Sequence, residues 1–146
     1  FKCVVYTTTL VVPQMQKNKW GRIINVTSVS VKEPLNYLVL SNSIRSAVVA
    51  WAKSLSVDIG KDGITINSIL TGYFDTERIK ELNKEKSKSL NISEDEVLEK
   101  MKSLVPVNRL GKIEEYGYLV SFLSSDKAAY INGASIPIDG GLLKSY

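Results

Sequence analysis

Apolar residues in this chain fall into short runs divided by polar punctuation, and their spacing changes from run to run. Residues 1–15 mix apolar side chains with threonines and predict a helix tail, closed by Pro13 and then by Lys17, Asn18 and Lys19. After Gly21, residues 22–27 read as a buried strand, and residues 28–36 as a polar loop containing Pro34. A strong helix is predicted over 41–59, where Ile44, Val48, Trp51, Leu55 and Ile59 recur at three- and four-residue spacing. Val49, Ala50 and Ala52 fall on its other side, so the helix needs cover from its own sheet and from something else. Ala47, Ala50 and Ala52 are small enough to admit a second helix closely. Lys61, Asp62 and Gly63 end it, and residues 64–70 form a second buried strand.

Thr71, Gly72 and Tyr73 break that strand. The stretch from Glu77 to Lys102 is charged and helical, with seven Lys/Arg against seven Asp/Glu and few core residues, the pattern of a surface excursion. Within it, Ser93 and Glu96 fit a capping box that opens a short helix through Met101. Pro106 and Gly111 bound a turn, residues 113–123 form another amphipathic helix, and residues 135–139 a short final strand before Gly140 and Gly141. Strand, long helix and strand within about 50 residues make a βαβ unit and hence a parallel sheet. With no repeat and no interdomain linker, the chain reads as one α/β unit with a thin sheet.

Composition removes several chemistries. The chain has no histidine and one cysteine, Cys3, so neither a Cys/His zinc site nor a Ser-His-Asp or Cys-His nucleophile can be assembled. A lone cysteine forms no internal disulfide, which suits a reducing compartment and points to the cytoplasm. The net charge of +4 is scattered, without a basic stripe or interleaved aromatic ladder, which argues against nucleic acid. No run of about 18 apolar residues is present for a membrane span, and the first residues lack a signal-peptide pattern. Phe1 is not an initiator residue, so the chain reads as processed or incomplete.

Seven short segments then align in order with one family. They are Gly21-Arg-Ile-Ile-Asn-Val-Thr-Ser28, Gly63-Ile-Thr-Ile-Asn67, Thr71-Gly-Tyr-Phe-Asp-Thr76, Pro106-Val-Asn-Arg-Leu-Gly111, Phe122-Leu-Ser-Ser-Asp126, Tyr130-Ile-Asn-Gly133 and Ile138-Asp-Gly-Gly141. Together they resemble the C-terminal half of a short-chain dehydrogenase/reductase, of the kind that includes 3-oxoacyl-carrier-protein reductases. The resemblance implies an α/β fold, the C-terminal portion of a Rossmann-type doubly wound parallel sheet. It implies that the glycine-rich phosphate turn for NAD or NADP belongs to a missing N-terminal half of the same protein, and that no metal takes part.

In the resembled family a Tyr passes the proton, a Ser binds the same oxygen, and a Lys four residues after the Tyr holds the ribose. Ser28 matches the serine. The tyrosine position holds Ser41 and the lysine position Arg45, so the motif reads Ser41-Asn-Ser-Ile-Arg45. A serine hydroxyl is a far weaker acid than a phenol, whereas Arg keeps its charge and can bind ribose hydroxyls. Ser28, Ser41 and Arg45 are therefore the catalytic candidates, with Tyr37 and Tyr73 as substitute phenols. Thr27, Arg45, Thr71, Gly72, Phe74 and Thr76 are the cofactor-binding candidates, with Thr71 in place of the family's Pro and Thr76 also suited to cap the next helix. The resemblance further implies a small carbonyl or alcohol substrate and a substrate lid over 76–104, while the two-faced 41–59 helix predicts a homodimer or homotetramer joined through its Ala/Val face. The alternative is a catalytically inactive relative that binds nucleotide or serves a structural role.

Overall fold

The computed structural model describes residues 1–36 and 38–145. Its centre is a three-stranded parallel sheet in the order β1 (Gly21–Val26), β2 (Ile64–Thr71), β3 (Ser135–Ile138). Pairing runs from Gly21 opposite Ile64 to Val26 opposite Ile69, and from Ser68 opposite Ser135 to Thr71 opposite Ile138. Strand β2 is central and buried on both faces: Ile64, Ile66, Ile69 and Leu70 are fully buried, and its buried Asn67 is paired through its side chain with Ile131 O and Ala134 N–H.

Helices cover both faces. On one, α1 (Lys2–Asn18) and α2 (Val39–Ile59) lay Val12, Met15, Trp51, Ala52, Leu55 and Ile59 against Ile23, Ile64 and Ile66. On the other, α5 (Ile113–Leu123) lays Tyr116, Leu119, Val120 and Leu123 against Ile24, Ile69 and Ile136. The alternation of β2 side chains between two helical layers is the doubly wound arrangement that the sequence pattern predicts.

Four local expectations need correction. Ala52 faces the sheet, not the outside, because it continues the Val48–Ala52–Ser56–Ile59 repeat. The outer stripe of α2 is Ser43, Ala47, Ala50, Ser54 and Val57. Strand β1 is only partly buried, with Val26 61% exposed, because nothing among the described residues pairs its outer edge. The 28–36 loop contains a 3-10 turn, Val29–Val31, whose Val29 and Ser30 are core residues. Pro13 lies inside α1 instead of ending it; the helix stops at Lys19, which turns left-handed (φ 52°).

After β2 the charged segment folds as α3 (Glu77–Leu90) and α4 (Glu94–Ser103), packed together around Asn83, Val97 and Met101. The Ser93–Glu96 capping box is present: Glu96 N–H donates to Ser93 Oγ (3.1 Å) and Ser93 N–H to Glu96 Oε2 (2.9 Å). Past β3, Asp139 accepts from the N–H groups of Gly141 and Leu143, and Glu33 from those of Lys144 and Ser145, tying the tail to the loop before α2. No helix of the described residues is long and apolar enough to cross a membrane.

Candidate active site

In a parallel sheet the carboxyl ends of the strands share one edge, and the loops leaving them form the ligand crevice. Here that edge collects residues 26–28, 71–76 and 138–139, together with the first turns of α2 and α5. Ser28, half-buried just beyond β1, accepts from Ser30 N–H (3.1 Å) and caps the 3-10 turn. That bond uses one lone pair of its oxygen and leaves the hydroxyl able to donate. Thr27 is more committed: buried, it donates through both its N–H and its hydroxyl to Ile69 O, each at 2.9 Å, bracing β1 against β2.

Ser41 and Arg45 lie one turn apart on α2 and form a unit. Arg45 Nε donates to Ser41 Oγ (3.3 Å), and its Nη1 to Val26 O at the end of β1 (3.4 Å). The guanidinium is thus drawn to the strand end two residues before Ser28, while its Nη2 has no protein partner among the described residues. The structure therefore places all three catalytic candidates at the same edge. Tyr37 lies outside the described residues. Tyr73 is half-buried, and burial pushes its phenol above the ordinary value. It lines a cavity of about 120 Å³ with Lys86, Val97, Lys100 and Met101 of the α3–α4 pair.

The 71–76 loop is tightly held. Gly72 N–H donates to Ile138 O (3.1 Å), and a β-carbon there would stand 2.6 Å from Asp139 Cα. Gly111 N–H donates to Tyr73 O and Asp75 N–H to Gly111 O, both at 2.9 Å. Between these bonds, the N–H groups of Tyr73 and Phe74 have no protein partner among the described residues. The Phe74 ring turns inward and is 7% exposed, so the backbone of that residue is what it offers a ligand. Thr76 caps α3, accepting from Ile79 N–H (3.4 Å).

Sequence reasoning missed Tyr116. Its hydroxyl lies 3.1 Å from Thr71 Oγ1, and its ring meets Phe74 edge-on at 5.3 Å. Burial raises its phenol, while the Thr71 hydrogen bond and the charge of Arg45 act in the opposite direction. The signal in the sequence was a tyrosine at the start of the 116, 119, 120, 123 apolar face, where the helix begins beside the strand ends.

The resemblance implies a nicotinamide nucleotide. The unpartnered N–H groups at 73 and 74, the hydroxyls and the Arg45 guanidinium fit its nicotinamide and ribose end. The pyrophosphate end is different: neither loop leaving β1 or β2 is a glycine-rich turn opening directly into a helix.

A family model described as enoyl-(acyl carrier protein) reductase matches residues 1–143. The NADPH-dependent reductase BacG of Bacillus subtilis (strain 168) is 33% identical over 131 residues, covering 90% of this chain and 51% of that protein. The 3-oxoacyl-[acyl-carrier-protein] reductase FabG of Pseudomonas aeruginosa is 32% identical over 135 residues, covering 90% and 49%. Among solved structures, YwfH, an NADPH-dependent reductase involved in bacilysin biosynthesis, superposes with a TM-score of 0.92 at 29% identity, covering 98% of this chain and 55% of that one. L-sorbose reductase from Gluconobacter frateurii gives a TM-score of 0.89 at 28% identity, covering 97% and 54%. The chain spans about half the length of the curated relatives it matches. It belongs to the short-chain dehydrogenase/reductase family, within the group described as enoyl-(acyl carrier protein) reductase.

Proposed function

We propose that this chain is the C-terminal, substrate-side half of an NAD(P)-dependent oxidoreductase that interconverts a carbonyl and an alcohol through an atypical site. The observation that carries this reading is Arg45, which binds the Ser41 hydroxyl and the end of β1 together, at Val26, two residues before Ser28 in the chain. Bound cofactor supplies or accepts the hydride at the substrate carbon. Ser28 donates a hydrogen bond to the substrate oxygen and polarises the carbonyl. Arg45 holds the nicotinamide ribose and keeps Ser41 oriented. In the reducing direction a proton from water reaches the substrate oxygen through the Ser41 hydroxyl, since serine is too weak an acid to act as a phenol would. Thr71, Gly72, Phe74 and Thr76 form the loop against the nicotinamide, and the segment 76–104 closes over the substrate. The names of BacG and YwfH favour NADPH.

In this reading, upstream residues of the same protein supply the phosphate turn, pair with the open edge of β1 and fill the groove lined by Val4, Thr7, Val11 and Ile23. The protein works in the cytoplasm as a homodimer or homotetramer joined through α2. A relative that has lost its redox activity is the second reading, favoured by the absence of a phenol at 41 and an ammonium at 45.

The test is a fluorescence titration of the full-length protein with NADPH and NADH. Binding of one or both is expected, and binding of neither overturns the enzyme reading. With binding in hand, turnover that is unchanged in a Ser41→Tyr/Arg45→Lys double variant would show that these positions do not limit catalysis.

A further inference from the structure

Tyr116 contacts Thr71 and Phe74, which bracket the only two backbone donors that the protein leaves unpaired within 72–75 among the described residues. Before them, its hydroxyl meets Thr71 Oγ1 at 3.1 Å; after the first, its ring packs edge-on against Phe74 at 5.3 Å and 82°. The N–H groups of Tyr73 and Phe74 lie inside that grip. The Phe74 ring also lies against Gly111, where even a β-carbon would come within 2.7 Å of it, so the ring is packed closely at that contact too. Tyr116 itself is anchored by its helix, whose Leu119, Val120 and Leu123 pack on the sheet.

A leucine would fill the same apolar space without a hydroxyl to satisfy. The phenol instead extends to the carboxyl edge, where its partner is a hydroxyl of the loop itself. Two hydroxyls in one hydrogen bond use one of their two protons, so the pair still presents a donor at that edge. The arrangement fixes the dihedral angles of the loop before a ligand arrives, which lowers the ordering cost of binding.

We propose that Tyr116 is a positioning residue for the nicotinamide end of the cofactor, clamping Thr71 and Phe74 so that the N–H groups of Tyr73 and Phe74 are held ready for the carboxamide. This rests on the cofactor reading above. It assigns Tyr116 no proton transfer to substrate; its effect is on affinity for one end of one ligand.

The experiment compares two ligands on the full-length protein: NADPH, followed by nicotinamide fluorescence, and 2′-phospho-ADP-ribose, which lacks nicotinamide, followed by calorimetry. Tyr116→Phe keeps the ring and removes only the hydroxyl. It should weaken NADPH binding by about three- to tenfold, the size of one net hydrogen bond, and leave the fragment's affinity unchanged. Thr71→Val should reproduce the effect, and Tyr116→Leu, which also removes the contact with Phe74, should exceed it. An unchanged NADPH affinity in Tyr116→Phe, or an equal loss for both ligands, overturns the proposal. Wild-type protein that binds neither NADPH nor NADH overturns the cofactor reading first and this inference with it.

Discussion

Gly72 stands where the end of β2 crosses the chain leaving β3, and the two backbones are too close for a side chain between them. A β-carbon there would lie 2.6 Å from Asp139 Cα and 3.3 Å from Ile138 O, both main-chain atoms that cannot swing aside. Gly72→Ala should therefore force β2 and β3 apart at their carboxyl ends and destabilise the protein by about 1–3 kcal/mol, seen as a lower urea midpoint at unchanged slope. Gly117 is the control: nothing lies within 4 Å of its β-carbon position, and it sits inside α5. There alanine should stabilise by about 0.5–1 kcal/mol. Equal effects at both positions would contradict the steric account. At this scale the sequence discloses spacing but not direction. The four-residue step from Ser41 to Arg45 places both on one helix face, and the structure adds the hydrogen bond between them. Phe74 carries no such signal: whether Tyr73 or Phe74 turns into the core depends on Gly111, which leaves room for the Phe74 ring and is remote in sequence.

Elements are legible where one periodicity dominates. Helix α2, strand β2 and the capping box of α4 follow from spacing alone, because each buries one continuous face or satisfies its own terminus. Strand β1 is less legible, since an apolar run reports hydrophobicity and not whether a neighbour covers it. Helix α5 shows a third case, an element whose start depends on a side chain in the turn that precedes it. Glu115 accepts Lys112 N–H (2.8 Å) at the first turn and takes a two-pronged ion pair from Arg109 (2.7 and 2.8 Å). Its carboxyl lies at about 2, below the ordinary 4.5, chiefly through the Arg109 hydrogen bonds and then the Lys112 N–H. A carboxyl depressed in the folded state stabilises fully above its unfolded value and loses that contribution as pH falls through the folded value. Glu115→Gln should thus melt below wild type at pH 7, with the gap closing between pH 4.5 and about 2. A gap that stays constant across this window, measured by thermal scans at several pH values, would mean the charge of Glu115 does not support the helix.

At the scale of the molecule, two of the surfaces left incompletely covered among the described residues differ in kind. The outer edge of β1 exposes backbone hydrogen-bonding groups, which calls for another strand. The outer stripe of α2 exposes Ser43, Ala47, Ala50, Ser54 and Val57 with Leu40 above them, and Val57 and Leu40 are 76% and 73% exposed. Small residues at three- and four-residue spacing leave a shallow groove along a helix of 21 residues, about 30 Å long. Such a groove would let an antiparallel copy of the same helix approach closely, and in the dimer proposed above two-fold symmetry would place each Ala47 against the partner's stripe. A single charge there would be buried without a counter-ion on both sides of the interface. Ala47→Glu in the full-length protein should therefore convert a dimer or tetramer to a smaller species by light scattering. The monomer's far-ultraviolet circular dichroism should be preserved, because Ala47 is exposed and lies off the sheet-facing repeat. If wild type is already a monomer, or if the variant keeps its oligomeric mass, α2 is not the subunit contact, and its apolar outer face needs cover from elsewhere in the same chain.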